Sequence, residues 1–162
     1  MMKMRGTYVL IIESHEDTEA EIGKLGEVKF KKGFYAYVGS ALSGLEQRIR
    51  RHLREVGKNK KLHWHIDYFL ASPSVEVKEV LFAETEERKE CGIAASMSMH
   101  MEKGLNSIVN FGCTDCACKS HLFFSTSLDR LRKHVYKCFY LSGIEKVKGC
   151  DIEKNNHKCA KD

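Results

Sequence analysis

The sequence predicts an α+β protein, because apolar runs typical of strands are separated by segments whose apolar residues recur with a helical period. Thr7–Glu13, Phe34–Val38 and Val75–Ala83 are apolar and rich in β-branched or aromatic residues, as strands are. The chain has 162 residues, 43% of them apolar and 30% charged, which is an ordinary globular composition. That length is sufficient to bury a core without disulfide support.

The segment between the first two predicted strands is charged and glycine-rich. Glu21–Phe30 is therefore interpreted as a polar hairpin or an irregular insertion. After the second strand, Ser43 can begin a helix that ends near Gly57. Its apolar stripe is formed by Leu45, Ile49, His52 and Leu53.

The second half of the chain alternates in the same way. The segment LHWHIDYFLA fits either a strand or a helix, and the apolar pair Phe69-Leu70 favours a helix ending before Pro73. We also expect a helix over Glu86–Met101, a short strand near Ser107–Asn110, and a helix from Ser127. Residues 148–162 have no apolar period and are predicted to be mobile. The predicted division is a domain at 1–125, including a cysteine loop at 111–124, and a helical extension with a polar tail at 126–162.

Net charge and hydropathy indicate the kind of binding partner and the cellular location of the protein. The net charge of +5 and the pI of about 8.8 favour an anionic partner, most commonly nucleic acid. No apolar run is long enough to span a membrane, and the N-terminal run is too short for a signal peptide. The sequence thus predicts a cytoplasmic protein whose seven cysteines are thiols or metal ligands rather than disulfides.

Several residues near the first two strands form a plausible phosphodiester site. Tyr8 begins the first strand and Tyr37 ends the second, while Arg48 and His52 share a helix face at i, i+4. Gly39 allows a ligand backbone to approach closely. Phenol oxygens, a guanidinium and an imidazole are suited to binding and cleaving a phosphodiester. Arg50, Arg51 and Arg54 could extend this site as a phosphate-tracking surface, or could simply be a solvated helix face.

These motifs together resemble the GIY-YIG nuclease superfamily. The resemblance rests on Gly6-Thr7-Tyr8, Tyr37-Val38-Gly39 and the pair Arg48 and His52. It is closer to a less characterised GIY-YIG-like family of archaea and bacteria, sometimes joined to an endonuclease III-like domain. The segments KGFYAYVGSA, LHWHIDY, ECGIA and FGCTDCACKSHLF carry that closer resemblance, over roughly residues 5–124.

The resemblance implies a small, mostly antiparallel three-stranded sheet flanked by helices, and metal-dependent hydrolysis of DNA. By position, Tyr37 would be the general base or a water-orienting phenol, Tyr8 its partner, and His52 a proton-handling group. Arg48 would hold the scissile phosphate. Glu90 would bind Mg²⁺ or Mn²⁺, with Glu86 and Glu87 as competing assignments. Ser40, counted with Gly39 among the nucleic-acid-binding positions, stands where many active members have lysine.

Structural interpretations of the same residues remain open. Tyr8, Tyr37 and His52 could be core residues, and Arg48 and Glu90 could be ordinary exposed helix residues. His63, His65 and Asp67 suggest a metal site, although a structural or DNA-contacting role is favoured.

The cysteine loop is the second notable feature. Cys113, Cys116, Cys118 and His121 could bind Zn²⁺. The alternatives are buried thiols, a disulfide with Cys91 or a redox-sensitive cluster.

The sequence therefore predicts a metal-dependent endonuclease acting on DNA, with a role in repair as one option. The alternatives are a non-catalytic DNA-binding module on the same scaffold and a zinc- or thiol-dependent interaction protein. The sequence does not specify the oligomeric state.

Overall fold

The computed structural model describes residues 4–54, 61–113, 116–153 and 156–159. Its centre is a seven-stranded antiparallel sheet with the strand order β6-β7-β4-β1-β5-β8-β9. The strands of this sheet are β1 (Gly6–Ser14), β4 (Gly33–Ala41), β5 (Val75–Glu84), β6 (Leu105–Ser107), β7 (Leu122–Ser125), β8 (Lys148–Glu153) and β9 (Asn156–Cys159). The helices are α1 (Leu45–Leu53), α2 (His65–Leu70), α3 (Glu90–Met99) and α4 (Leu128–Leu141).

The first strand is central because it is apolar on both faces. Val9, Leu10, Ile11 and Ile12 are all fully buried. Because alternate side chains of a strand point to opposite faces, these residues contribute to two separate cores. Leu10 and Ile12 belong to one core, and Val9 and Ile11 belong to the other.

Helices cover both faces of the sheet. The core that contains Leu10 also includes Leu45 from α1 and Phe69 from α2. The opposite core is completed by α3 and α4, through residues such as Ile93 and Leu131. The helix α4 lies in the predicted C-terminal extension, and it packs on the same sheet as the rest of the chain.

The charged insertion forms a small sheet of its own. Strands β2 (Thr18–Glu21) and β3 (Glu27–Phe30) pair antiparallel around a 3₁₀ turn at Gly23–Leu25. This arrangement agrees with the hairpin interpretation of this segment. Phe30 anchors it by stacking on Phe69, with ring centroids 4.1 Å apart.

The α+β class is confirmed, but the prediction of a three-stranded sheet is wrong. Strands β4, β1 and β5 are the predicted three, and four short strands extend the sheet on both sides. Short edge strands carry too few residues to show a period-2 pattern, and β7 is buried on both faces, so alternation could not reveal it.

Residues 148–153 and 156–159 differ from the prediction of a mobile tail, and the rest of that predicted tail lies outside the described residues. Strand β8 pairs with β5 and then with β9, so this largely polar segment is fixed by backbone hydrogen bonds and by the packing of Cys150 and Ile152 on the core. Cys150 on β8 is disulfide-bonded, contrary to the expectation for the cysteines, whereas Cys91, Cys113, Cys116, Cys118 and Cys138 are free thiols.

Helix α1 is described as far as Leu53, and its predicted end near Gly57 lies outside the described residues. Within the described part of the chain, none of the helices has the length and apolar character needed to cross a membrane.

Candidate active site and cysteine cluster

Tyr8 and His52 form a buried hydrogen-bonded pair at one end of the two central strands. The Tyr8 hydroxyl lies 2.6 Å from His52 Nε2, and both residues are almost fully buried. Burial raises the pKa of Tyr8, although the neighbouring Arg48 guanidinium opposes the shift. The phenol therefore keeps its proton at neutral pH, and the direction of its hydrogen bond with His52 Nε2 is set by the tautomer of the histidine.

Gly39 makes room for the Tyr8 ring. The two residues are opposite each other in the β1–β4 pairing. A Cβ at position 39 would lie 2.5 Å from the Tyr8 hydroxyl and from the ring carbon that bears it. The glycine after Tyr37-Val38 is thus required by a side chain of this protein, independently of any ligand.

Substitution of this glycine should destabilise the fold. We expect Gly39→Ala to lower the free energy of unfolding by about 1–3 kcal/mol, because the buried ring cannot move aside freely. Chemical denaturation measures the change. Gly92→Ala in α3 is the matched control, since a Cβ there meets no atom within 4 Å and alanine favours helix. Equal stability of the Gly39→Ala protein and the wild type would contradict this account of the glycine.

Tyr37 lies beside the same pair. Its ring is edge-on to His52, with centroids 6.1 Å apart, and edge-on to Phe111 at 6.2 Å. Burial raises its pKa well above the ordinary value, and the neighbouring Tyr8 phenol and the Glu90 carboxylate raise it further. Tyr37 is therefore a neutral phenol at physiological pH, able to orient a water molecule by hydrogen bonding.

Arg48 is held in place by Ser40 and Trp64 and lies near Tyr8. Its Nη1 donates to the Ser40 carbonyl at 3.3 Å, its guanidinium lies 4.5 Å from the centre of the Trp64 ring, and its presence lowers the pKa of the Tyr8 phenol against the effect of burial. The side chain is half-buried. Cation–π stacking and hydrogen bonds orient a guanidinium without neutralising its charge, so Arg48 can still attract an anion.

Glu90 begins α3 and is tied to β4. The Ser40 hydroxyl donates to a Glu90 carboxylate oxygen. The charge of Glu90 also raises the pKa of both Tyr8 and Tyr37, so the carboxylate is electrostatically part of the same site. A carboxylate and a hydroxyl are hard oxygen ligands, and Mg²⁺ keeps several waters when it binds few protein groups. The residues present therefore fit a bound Mg²⁺ or Mn²⁺.

An ion pair between Arg51 and Asp67 lies next to Arg48, because Arg48 and Arg51 both lie over the Trp64 ring. Two Arg51 nitrogens each donate to an Asp67 oxygen at 2.9 Å, and Asp67 also accepts from the amides of His63 and Trp64. The Arg51 guanidinium also lies over the Trp64 ring, 4.2 Å from the ring centre. Arg51, predicted to contact nucleic acid, is thus engaged within the protein.

The other residues predicted as metal ligands or nucleic-acid contacts between residues 50 and 67 do not come together in one group. His65 Nδ1 accepts from the Gly112 amide at 2.8 Å, so His65 does not join His63 and Asp67. Arg50 is exposed and pairs with Glu46 at 2.6 Å, and Arg54 is exposed at the end of α1.

The cysteine loop supplies three members of a four-residue cluster. Ligand atoms of Cys91, Cys116, Cys118 and His121 all lie within 4.8 Å of one another. Cys91, from the first turn of α3, takes the position that the sequence assigned to Cys113. The Cys113 thiol instead donates to the Phe111 carbonyl at 3.4 Å. This group of residues could hold a metal ion.

A second group of ionisable residues lies on the outer part of β1 and β5. Glu13, His15 and Glu76 have ligand atoms within the same limit. Lys78 Nζ lies 3.7 Å from Glu13 and 3.1 Å from Glu76, so its ammonium already pairs with both carboxylates. We interpret this group as a surface ion-pair network.

The fold and the clustered side chains define an α+β protein with a candidate phosphate-binding site and a separate cysteine–histidine cluster. The chain belongs to the family described as domain of unknown function DUF123, whose model matches residues 7–143. Comparisons with curated proteins and with solved structures gave no match.

Proposed function

We propose that this protein is a metal-dependent endonuclease that hydrolyses DNA phosphodiester bonds. One observation carries the proposal: Tyr8, Tyr37, Arg48, His52 and Glu90 come from two strands and two helices and meet in one site. These are the positions that match the GIY-YIG nuclease pattern. A catalytic site requires side chains that converge in this way, whereas an arbitrary set of core residues would not show such convergence.

The residues have complementary roles in this reaction. Water attacks the phosphorus and loses a proton, the P–O bond to the leaving oxygen breaks, and that oxygen takes up a proton. Arg48 binds a non-bridging phosphate oxygen, where negative charge increases in the transition state. Tyr37, a neutral phenol, orients the attacking water. Tyr8 and His52 form a proton-handling pair beside it.

Glu90, with the Ser40 hydroxyl beside it, is the group that would hold Mg²⁺ or Mn²⁺. At that position the ion would supply Lewis-acid stabilisation of a phosphoryl oxygen and of the leaving oxygen. The negative charge of Glu90 also disfavours ionisation of both phenols, which keeps Tyr37 in its hydrogen-bonding form.

A cleavage assay tests this function. The purified full-length protein is incubated with labelled duplex, single-stranded, flap and branched DNA in Mg²⁺, in Mn²⁺ or in EDTA. We expect the protein to cut at least one of these substrates. The cutting should need the divalent ion and should stop in EDTA. Cutting that is undiminished in EDTA, or no cutting with either metal, would contradict the proposal.

A non-catalytic DNA-binding module is the second candidate. The hydrogen bond from Ser40 to Glu90 favours it, because this bond satisfies the carboxylate within the protein. Exposed Arg50 and Arg54 on α1 would then bind phosphates, with affinity that falls as salt rises. Salt-sensitive binding without cutting would support this alternative. The absence of both would favour a zinc- or thiol-dependent interaction protein.

A further inference from the structure

His121 has one ring nitrogen committed to the backbone and the other directed at three sulfurs. Its Nδ1 lies 3.1 Å from the Val38 carbonyl oxygen. A carbonyl can only accept, so Nδ1 carries the proton and Nε2 presents a lone pair. Nε2 lies 3.3 Å from Cys116 Sγ and 4.0 Å from Cys91 Sγ. This is the orientation that metal-binding histidines have when a backbone carbonyl fixes their tautomer.

The ring is also held by its surroundings. His121 is only 5% exposed, its amide donates to the Phe111 carbonyl at 2.8 Å, and its carbonyl accepts from the Val38 amide at 2.9 Å. A histidine fixed in this way needs no rearrangement to bind an ion. Cys116 and Cys118 approach the ring from the loop, and Cys91 approaches from α3.

The spacing of the four ligand atoms fits a tetrahedral zinc ion. With Zn–S bonds of about 2.3 Å and a Zn–N bond of about 2.0 Å, neighbouring ligand atoms should be about 3.5–3.8 Å apart. The two distances above lie on either side of that range and all pairs of ligand atoms lie within 4.8 Å, so side-chain shifts of up to about 1 Å complete the geometry. Three thiolates and an imidazole are soft or borderline ligands, which select Zn²⁺ over Mg²⁺ or Ca²⁺.

We propose that Cys91, Cys116, Cys118 and His121 bind one structural Zn²⁺, and that Cys113 is not a ligand. Four protein ligands close the coordination sphere, as in structural rather than catalytic zinc sites. The ion joins the cysteine loop to the start of α3 and, through His121, to the segment of β4 that contains Val38.

Metal content and spectroscopy test the site. The full-length protein should contain about one zinc per chain by elemental analysis. Cys91→Ser should lose most of it, and the matched control Cys113→Ser should retain it. A zinc-free wild type, or loss in Cys113→Ser with retention in Cys91→Ser, would overturn the assignment.

A second measurement does not depend on the folding of a variant. Wild-type protein reloaded with Co²⁺ should show the strong visible bands of tetrahedral cobalt and a thiolate charge-transfer band in the near ultraviolet. Only the weak bands typical of octahedral cobalt would contradict the proposal. Chelation of the zinc should also lower the thermal unfolding temperature, since the ion binds the folded state.

The zinc site also positions Glu90, an inference that rests on the proposed nuclease function. Cys91 directly follows Glu90, so the zinc fixes the helix turn that carries the carboxylate. In a protein that cuts DNA, Cys91→Ser should raise the Mg²⁺ concentration needed for half-maximal cleavage, with unchanged DNA affinity. An unchanged Mg²⁺ requirement would refute this positioning role. A zinc-containing protein that never cuts would refute the nuclease proposal and leave the zinc site intact.

Discussion

Arg48→Ala should slow metal-dependent cutting by about 10²–10³-fold while the protein stays folded. Arg48 is the cationic side chain that donates to the Ser40 carbonyl and opposes the rise of the Tyr8 pKa, and it is half-exposed rather than sealed in the core. Removing a preorganised group that stabilises transition-state charge lowers kcat by about 10²–10³-fold. Initial cleavage rates at saturating Mg²⁺ measure the loss, and thermal unfolding verifies that the variant is folded.

Two further variants sharpen this test. Arg48→Lys keeps the charge but loses the planar fork, so it should recover only part of the rate. Arg130→Ala removes an exposed arginine from α4, which packs on the opposite face of the sheet, and should cut at the wild-type rate. An Arg48→Ala protein that cuts normally would show that the phosphate clamp is assigned to the wrong residue.

Asp67→Asn should cause the largest loss of stability, about 3–5 kcal/mol at neutral pH. Asp67 is fully buried, and the substitution leaves the Arg51 guanidinium beside a neutral amide. The amides of His63 and Trp64, which donate to the carboxylate, lose a charged acceptor as well. Urea denaturation measures the change. Asp129→Asn, which breaks an exposed pair with Lys133, should cost less than about 1 kcal/mol.

The pH dependence of this effect has a defined sign. Burial alone raises the pKa of Asp67, but the hydrogen bonds from Arg51, His63 and Trp64 and the charge of Arg51 hold it below its usual value. The carboxylate therefore contributes stability above about pH 4, the unfolded-chain value, and this contribution is lost as pH falls through the lower folded value. The stability gap between the wild type and Asp67→Asn should narrow in acid. A gap that widens below pH 4 would contradict the ion-pair account.

Local patterns in the sequence predicted the longer elements and one part of the site. The apolar runs of β1, β4 and β5 and the stripe of α1 are strong periodic signals, and they place Tyr8, Tyr37, Arg48 and His52 near one another. The Gly39–Tyr8 contact could not be predicted, because it depends on the register between two strands.

Long-range contacts explain the remaining differences. The sequence grouped Cys113 with the loop cysteines because it is adjacent, whereas the fold brings Cys91 there from α3. The spacing of Arg51 and Asp67 gave no sign of pairing, since they lie in separate helices. Strands β8 and β9 are paired by backbone hydrogen bonds, which leave no mark in side-chain polarity, and only Cys150 and Ile152 of β8 pack on the core.

The central position of β1 has a consequence for how the chain folds as it is synthesised. This strand is made first, yet its two partners are β4 and β5, and β5 does not begin until residue 75. At about 5–20 residues per second, translation leaves an apolar strand with an unpaired edge for several seconds. Because Val9–Ile12 are apolar towards both faces, the nascent chain exposes an aggregation-prone segment during that interval. We therefore expect chaperone dependence and inclusion-body formation to respond most strongly to changes that delay the pairing of β5 with β1.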